Sequence, residues 1–192
     1  MRISLLFSTI LFSFTYVFGQ TYTGVPDDNF EQYLIDQGYD VVLDNYVLTS
    51  NINGISLLDV SNQNISDLSG IEDFNSLQYL TCSNNMLTEL DLCDNFNLLF
   101  LDCSNNPLTT IDLSHAPYLQ TLICSDSDIE ELDISTNYSL GMLNIIDNPI
   151  ECIQVGGNDN SLVLLTGDLT WDPNGEDYFS ADCNYFSWEC SG

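Results

Sequence analysis

An eleven-residue block recurs every 21 positions through the middle of this chain. It reads Leu77-Gln-Tyr-Leu80-Thr-Cys82-Ser-Asn-Asn85-Met-Leu87, then Leu98-Leu-Phe-Leu101-Asp-Cys103-Ser-Asn-Asn106-Pro-Leu108. Leu119-Gln-Thr-Leu122-Ile-Cys124-Ser-Asp-Ser127-Asp-Ile129 and Leu140-Gly-Met-Leu143-Asn-Ile145-Ile-Asp-Asn148-Pro-Ile150 follow in phase. A further copy, Ile55 to Ile65, precedes them at a spacing of 22. A fixed period of this length is the mark of a solenoid, in which each repeat touches only its neighbours.

The period sets the geometry. A coil of about 21 residues holds one short strand, a turn and a return segment, and successive strands stack at about 4.7–4.9 Å. One coil cannot bury its own apolar positions; a stack buries a continuous column. Leu80, Leu101, Leu122 and Leu143 should form one such interior row. After each block comes a second apolar pair: Leu90-Asp-Leu92, Ile111-Asp-Leu113, Leu132-Asp-Ile134 and Ile153-Gln-Val155. Asn85, Asn106 and Asn148 share the ninth position, where an Asn side chain can hydrogen-bond the backbone of a turn. Gln63 and Ser127 depart from this pattern, so the first and fourth coils are expected to turn less rigidly.

The template L-x-x-L-x-L/C-x-x-N-x-L resembles the leucine-rich repeat family. The Cys82-Ser-Asn-Asn85 run and the "LDL" pairs resemble the short internalin-like repeats of secreted Bacteroidetes proteins, as do Val25 to Leu34, Asp59 to Leu68, and the segment Cys152 to Val155 with the later Trp171 and Cys183. The resemblance spans roughly residues 24 to 183. It implies an α/β solenoid: a short arc of about five 21-residue coils with a parallel β-sheet on the concave face, an asparagine ladder, an N-terminal helical cap and a C-terminal disulfide-linked cap. It also implies a sorting domain after the exit cap, whereas this chain stops nine residues after Cys183, which leaves cell-surface attachment open.

Four segments follow: a signal peptide at 1–19, an N-terminal cap at 20–54, the repeats at 55–155, and a C-terminal cap and tail at 156–192. The first segment has Arg2 as its charged start, an apolar run from Leu5 to Phe18, and the small Val17 and Gly19 near the cut. That run is too short and too early for an ordinary membrane span. A secreted, periplasmic or cell-surface location is expected. In the N-terminal cap, Asp28 with Glu31 three residues on suggests a capping box, Phe30, Tyr33 and Leu34 share a helix face, and Gly38 suits the stop. Residues 39–52 should lead strand-like into the first coil.

Charge excludes several partners. Arg2 is the one basic residue against 29 Asp and Glu, for a formal net charge of −28. Nucleic-acid binding needs cations against phosphate, and an anionic membrane surface is disfavoured for the same reason. Unrelieved self-repulsion should be eased by salt. No cofactor is implied except Ca²⁺, for which Asp91, Asp112 and Asp133, 21 apart, are the candidates. The oxygen-rich run from Asp172 to Asp177 has its Gly in the wrong place for an EF-hand loop.

Seven cysteines fall into two groups. Cys82, Cys103 and Cys124 take the inward position filled elsewhere by Val60 and Ile145, and should be buried free thiols. Cys152, Cys183 and Cys190 lie where an exported chain can hold a disulfide. The family resemblance implies Cys152–Cys183; Cys183–Cys190 is the alternative. Cys93 has no assignment, and five free sulfhydryls are expected.

Outward positions of the repeat strands locate a surface. They give the pairs Leu57 and Asp59, Tyr79 and Thr81, Phe100 and Asp102, Thr121 and Ile123, and Met142 and Asn144. One column, Leu57, Tyr79, Phe100, Thr121 and Met142, sets large apolar side chains on a solvent face, where aromatics are common interface anchors. The leading reading is an exported, non-catalytic module that binds a protein partner through this concave face. The alternative is a Ca²⁺-dependent structural or glycan-binding surface protein using the stacked acidic residues. Catalysis is not expected: His115 is the single His, set in a turn, and adjacent Ser114 and Asp112 do not present a triad.

Overall fold

The computed structural model describes residues 20–155, together with the backbone of two strands at 163–165 and 179–180. The signal peptide expected at 1–19 lies outside these residues. Five stacked coils account for most of what is described. Their strands are β3 (Leu57–Asp59), β4 (Tyr79–Thr81), β5 (Phe100–Asp102), β6 (Thr121–Ile123) and β8 (Met142–Asn144). With β10 (Val163–Leu165) they form one parallel sheet in the order β10-β8-β6-β5-β4-β3.

The register follows the sequence period. Leu58, Leu80, Leu101, Leu122 and Leu143 are successive partners across this sheet, and each is at most 2% exposed. The expected interior row is therefore present. Behind it run Leu77, Leu98, Leu119 and Leu140, and on the far side Leu87, Leu108, Ile129 and Ile150, all buried. A Leu-to-Ala change inside such a row costs about 2–5 kcal/mol, because the neighbours close the void only in part.

Each strand leaves the sheet through a left-handed residue. Asn62, Asn84, Asn105, Asp126 and Asp147 have φ of 59°, 57°, 56°, 53° and 58°. Asn and Asp tolerate this region better than other residues with a side chain. Their amides still extend the ladder to the next coil: Asn62 N donates to Ser83 O, Asn84 N to Ser104 O, Asn105 N to Ser125 O and Asp126 N to Ile146 O. The Asn-Asn pair of the repeat thus divides its work. The first residue makes the bend, and the second ties coils together.

That tie is direct. Asn85 accepts from the amides of Gln63 and Ile65 and donates to the carbonyls of Val60 and Cys82. Asn106 accepts from Leu87 N and donates to the carbonyls of Cys82 and Cys103. Asn148 accepts from Ile129 N and donates to those of Cys124 and Ile145. Ser127 is too short to reach the preceding coil; its Oγ donates only to Ser125 O at 3.5 Å. A second set of ties, not foreseen from the sequence, sits at another corner. Asn95 donates to the carbonyls of Ile71 and Phe74, and Asn137 to those of Leu113 and Ala116; both side chains are buried.

A second parallel sheet, order β11-β9-β7, runs along the return side. It comprises β7 (Glu131–Asp133), β9 (Cys152–Gln154) and β11 (Phe179–Ser180). The equivalent stretches at Leu90 to Leu92 and Ile111 to Leu113 bury the same alternate positions without strand pairing.

The N-terminal segment packs on the first coil. β1 (Tyr22–Gly24) pairs antiparallel with β2 (Tyr46–Leu48), and α1 (Asp28–Asp36) lies between them in the chain. The cap of α1 is Asp27, one residue before the expected Asp28. Asp27 Oδ1 accepts from the amides of Asn29 and Phe30, while its Oδ2 accepts from Ser66 N, Ser66 Oγ and Asp67 N in the first coil. Burial alone would raise the Asp27 carboxyl; the hydrogen bonds from Ser66, Phe30 and Asn29 outweigh it and hold the group below its ordinary value. The expected capping box is absent because Glu31 turns inward and receives Asp44 N and Tyr46 N instead. Phe30 stacks on Phe74 at 6.1 Å between ring centroids, and Leu34 is fully buried. Gly38, at φ 80°, ends the helix as expected. Residues 39–52 are strand only at β2 and then form the single turn α2 (Thr49–Ile52). Gly70, at φ 101°, lets β1 approach: a Cβ there would lie 2.6 Å from Gly24 O.

Candidate functional site

The sheet face presents the residues singled out by the repeat, coil upon coil. Strand centres are buried and their flanks are exposed or half-buried. Leu57, Tyr79, Phe100, Thr121 and Met142 are successive register partners, and so are Asp59, Thr81, Asp102, Ile123 and Asn144. All ten positions therefore come together as two columns on one surface. Leu57 is 64% and Tyr79 44% exposed. The Tyr79 and Phe100 rings lie 6.4 Å apart at 31°, a tilted aromatic pair. Asp59 and Asp102 set negative charge beside this pair.

Two details stiffen the surface. Asp59 Oδ1 accepts from Ser61 N and Oγ, and Asp102 Oδ1 accepts from Ser104 N. At its first edge lies Tyr33, whose phenol is pushed up by burial, then by the nearby negative charge of Asp59 and by Tyr39.

Beneath the sheet runs the cysteine column. Cys82, Cys103 and Cys124 are free thiols with no exposed surface. Burial pushes the Cys82 thiol well up. For Cys103, hydrogen bonding with Cys124 acts first and burial second, in the same direction. A thiolate is the reactive and metal-binding form, so these positions act as small apolar groups. Cys93 and Cys152 are disulfide-bonded. Cys183 and Cys190 lie outside the described residues, and so does the expected pairing of Cys152 with Cys183. A bond between Cys93 and Cys152 themselves would have to cross nearly three coils, about 14 Å at the strand spacing, which is beyond disulfide reach.

Asp91, Asp112 and Asp133 occupy equivalent places on the return side, but they do not converge. Each carboxylate folds back onto the amide two residues on: Asp91 to Cys93 N, Asp112 to Ser114 N and Asp133 to Ser135 N, at 2.8–2.9 Å. His115 Nδ1 lies 2.9 Å from Cys93 O, and its ring stacks on Phe96. The run from Asp172 to Asp177 lies outside the described residues.

Among solved structures, the chain is similar to three from Listeria monocytogenes. Internalin F matches at 15% identity and TM-score 0.51, over 67% of this chain and 49% of that one. Internalin C2 matches at 27% identity and TM-score 0.44, over 58% and 49%. The functional domain of InlJ, which includes a cysteine ladder, matches at 22% identity and TM-score 0.40, over 76% and 47%. The internalin F likeness shows a shared fold, the internalin-like leucine-rich repeat solenoid. The chain spans about half the length of the solved structures it matches. No family model and no curated protein matches it. Among the described residues, no helix is long and apolar enough to cross a membrane.

Proposed function

We propose that this is an exported, non-catalytic leucine-rich repeat protein that binds a protein partner through the face of its six-stranded sheet. The observation that carries the reading is the in-register column Leu57, Tyr79, Phe100, Thr121 and Met142, with two aromatic rings paired at its centre. Short strands held by ladder bonds fix these side chains before any partner arrives, which lowers the entropic cost of binding. Aromatic anchors with Asp59 and Asp102 in the column beside them suit a partner with apolar side chains among Lys and Arg, and charge complementarity of this kind acts mainly on the association rate.

The test compares two double variants in capture from the native cell envelope. Tyr79→Ser with Phe100→Ser is expected to abolish capture and leave the melting transition nearly unchanged. Tyr118→Ser with Tyr138→Ser, at exposed positions outside the sheet, should capture as the wild type does. Capture that survives in the first variant places the site elsewhere.

A further inference from the structure

Three carboxylates of the N-terminal segment face one another. Glu31 of α1, with Asp40 and Asp44 of the loop that leads to β2, bring one oxygen each within 4.8 Å of the others. The group grades from buried at Glu31 through half-buried at Asp40 to exposed at Asp44, so it opens onto solvent. Glu31 has no exposed surface at all. Its Oε1 accepts from Asp44 N at 2.8 Å and Tyr46 N at 3.2 Å. Its Oε2 is buried with no hydrogen-bond partner, and the same holds for Asp40 Oδ2. A carboxylate oxygen left bare inside a protein is costly. The usual remedy is a Lys or Arg, and no Lys or Arg follows Arg2 in this chain.

We propose that Glu31, Asp40 and Asp44 form a Ca²⁺ site. The donors are oxygens only, with no His or Cys among them, which selects a hard cation over zinc or copper. Ca²⁺ accepts six to eight oxygens in irregular geometry, so three carboxylates and water on the open side suffice; Mg²⁺ demands a stricter octahedron. The loop needs such a clamp, because Val41, Val42 and Leu43 at its tip are exposed and supply no packing to hold it. An ion here would join helix α1 to the loop and strand β2. The site is separate from Asp91, Asp112 and Asp133 and does not rest on the sheet-face reading.

Titration of the chain from residue 20 onward with CaCl₂, followed by calorimetry and by melting against an NaCl control of equal ionic strength, tests this. One saturable site is expected, in the range of about 10⁻⁴–10⁻³ M typical of extracellular modules. The melting temperature should rise beyond the NaCl control, and Mg²⁺ should need at least about tenfold higher concentration. Asp40→Asn with Asp44→Asn should abolish the saturable site. The triple variant Asp91→Asn, Asp112→Asn, Asp133→Asn should keep it. In EDTA the Asp40→Asn, Asp44→Asn variant is expected to fold and to melt no lower than the wild type, since it relieves repulsion. Binding that never saturates, or a site that persists in the Asp40→Asn, Asp44→Asn variant, overturns the proposal.

Discussion

The coils around Asn85 and Asn106 and those around Ser127 and Asn148 complete the same circuit in different ways. In the front pair, the turn after the strand is tied by Asn side chains that reach the preceding coil, and the return segments carry no strand. Towards the rear, Ser127 interrupts the side-chain ladder, which resumes at Asn148, and backbone pairing appears on the return side at β7 and β9. The residues follow the change. At the second apolar position of the return side, Leu92 and Leu113 give way to Ile134 and Val155, and β-branched side chains favour strand. A solenoid coil has to pair its backbone groups somewhere, and side-chain amides or a second sheet both do it.

The sharpest way to break this contrast is Asn106→Ala. It leaves Leu87 N and Cys103 O without their partner, while Cys82 O keeps its bond from Asn85, and at about 1–3 kcal/mol per buried unpaired group the loss should be about 3 kcal/mol in chemical denaturation. Hydrogen exchange should quicken at Leu87 and stay slow at Leu132 and Ile153. Equal quickening in both regions would erase the distinction.

Next in size is Asp27→Asn, expected to cost about 2 kcal/mol at neutral pH through weaker cap and coil bonds. The carboxyl is held lower in the folded chain than in the unfolded one. The unfolded chain therefore takes up the proton first, and the stabilisation, complete above the ordinary carboxylate value of about 4, fades as pH falls through the folded value. The difference between wild type and Asp27→Asn should shrink correspondingly below about pH 4. A difference independent of pH would remove the charged cap from the account.

Smaller still is Ser127→Asn, which should restore the missing rung and add about 1 kcal/mol, making the rear turn resemble the front. A loss of stability would show that the rear coils are built to exclude that rung. The least perturbing measurement is thiol titration in denaturant without reductant. With Cys93 and Cys152 both disulfide-bonded and too far apart to join each other, three sulfhydryls are expected in place of the five read from the sequence. In the native state, burial should keep Cys82, Cys103 and Cys124 from alkylation.

Much of this was legible in advance because a repeat turns sequence spacing into spatial adjacency. The interior leucine row, the inward cysteines, the ladder at Asn85, Asn106 and Asn148, and the two columns on the sheet face all follow from one number. The left-handed bend at Asn84 and Asn105 falls on the first member of each Asn-Asn pair, a residue type that tolerates positive φ. Asn95 and Asn137 carried no usable signal, since Phe74 and Ala116 hold the equivalent places and interrupt the pattern.

By itself, then, the sequence determined the stacking, the interior and the solvent face of the repeats, because the period of 21 forces equivalent residues into equivalent surroundings. Only the tertiary structure decided what lies outside the period. It placed Asp27 between helix and coil and turned Glu31 inward to meet Asp40 and Asp44. Those contacts join residues whose separations repeat nowhere else in the chain, and their pairing depends on how the ends of the stack fold against it.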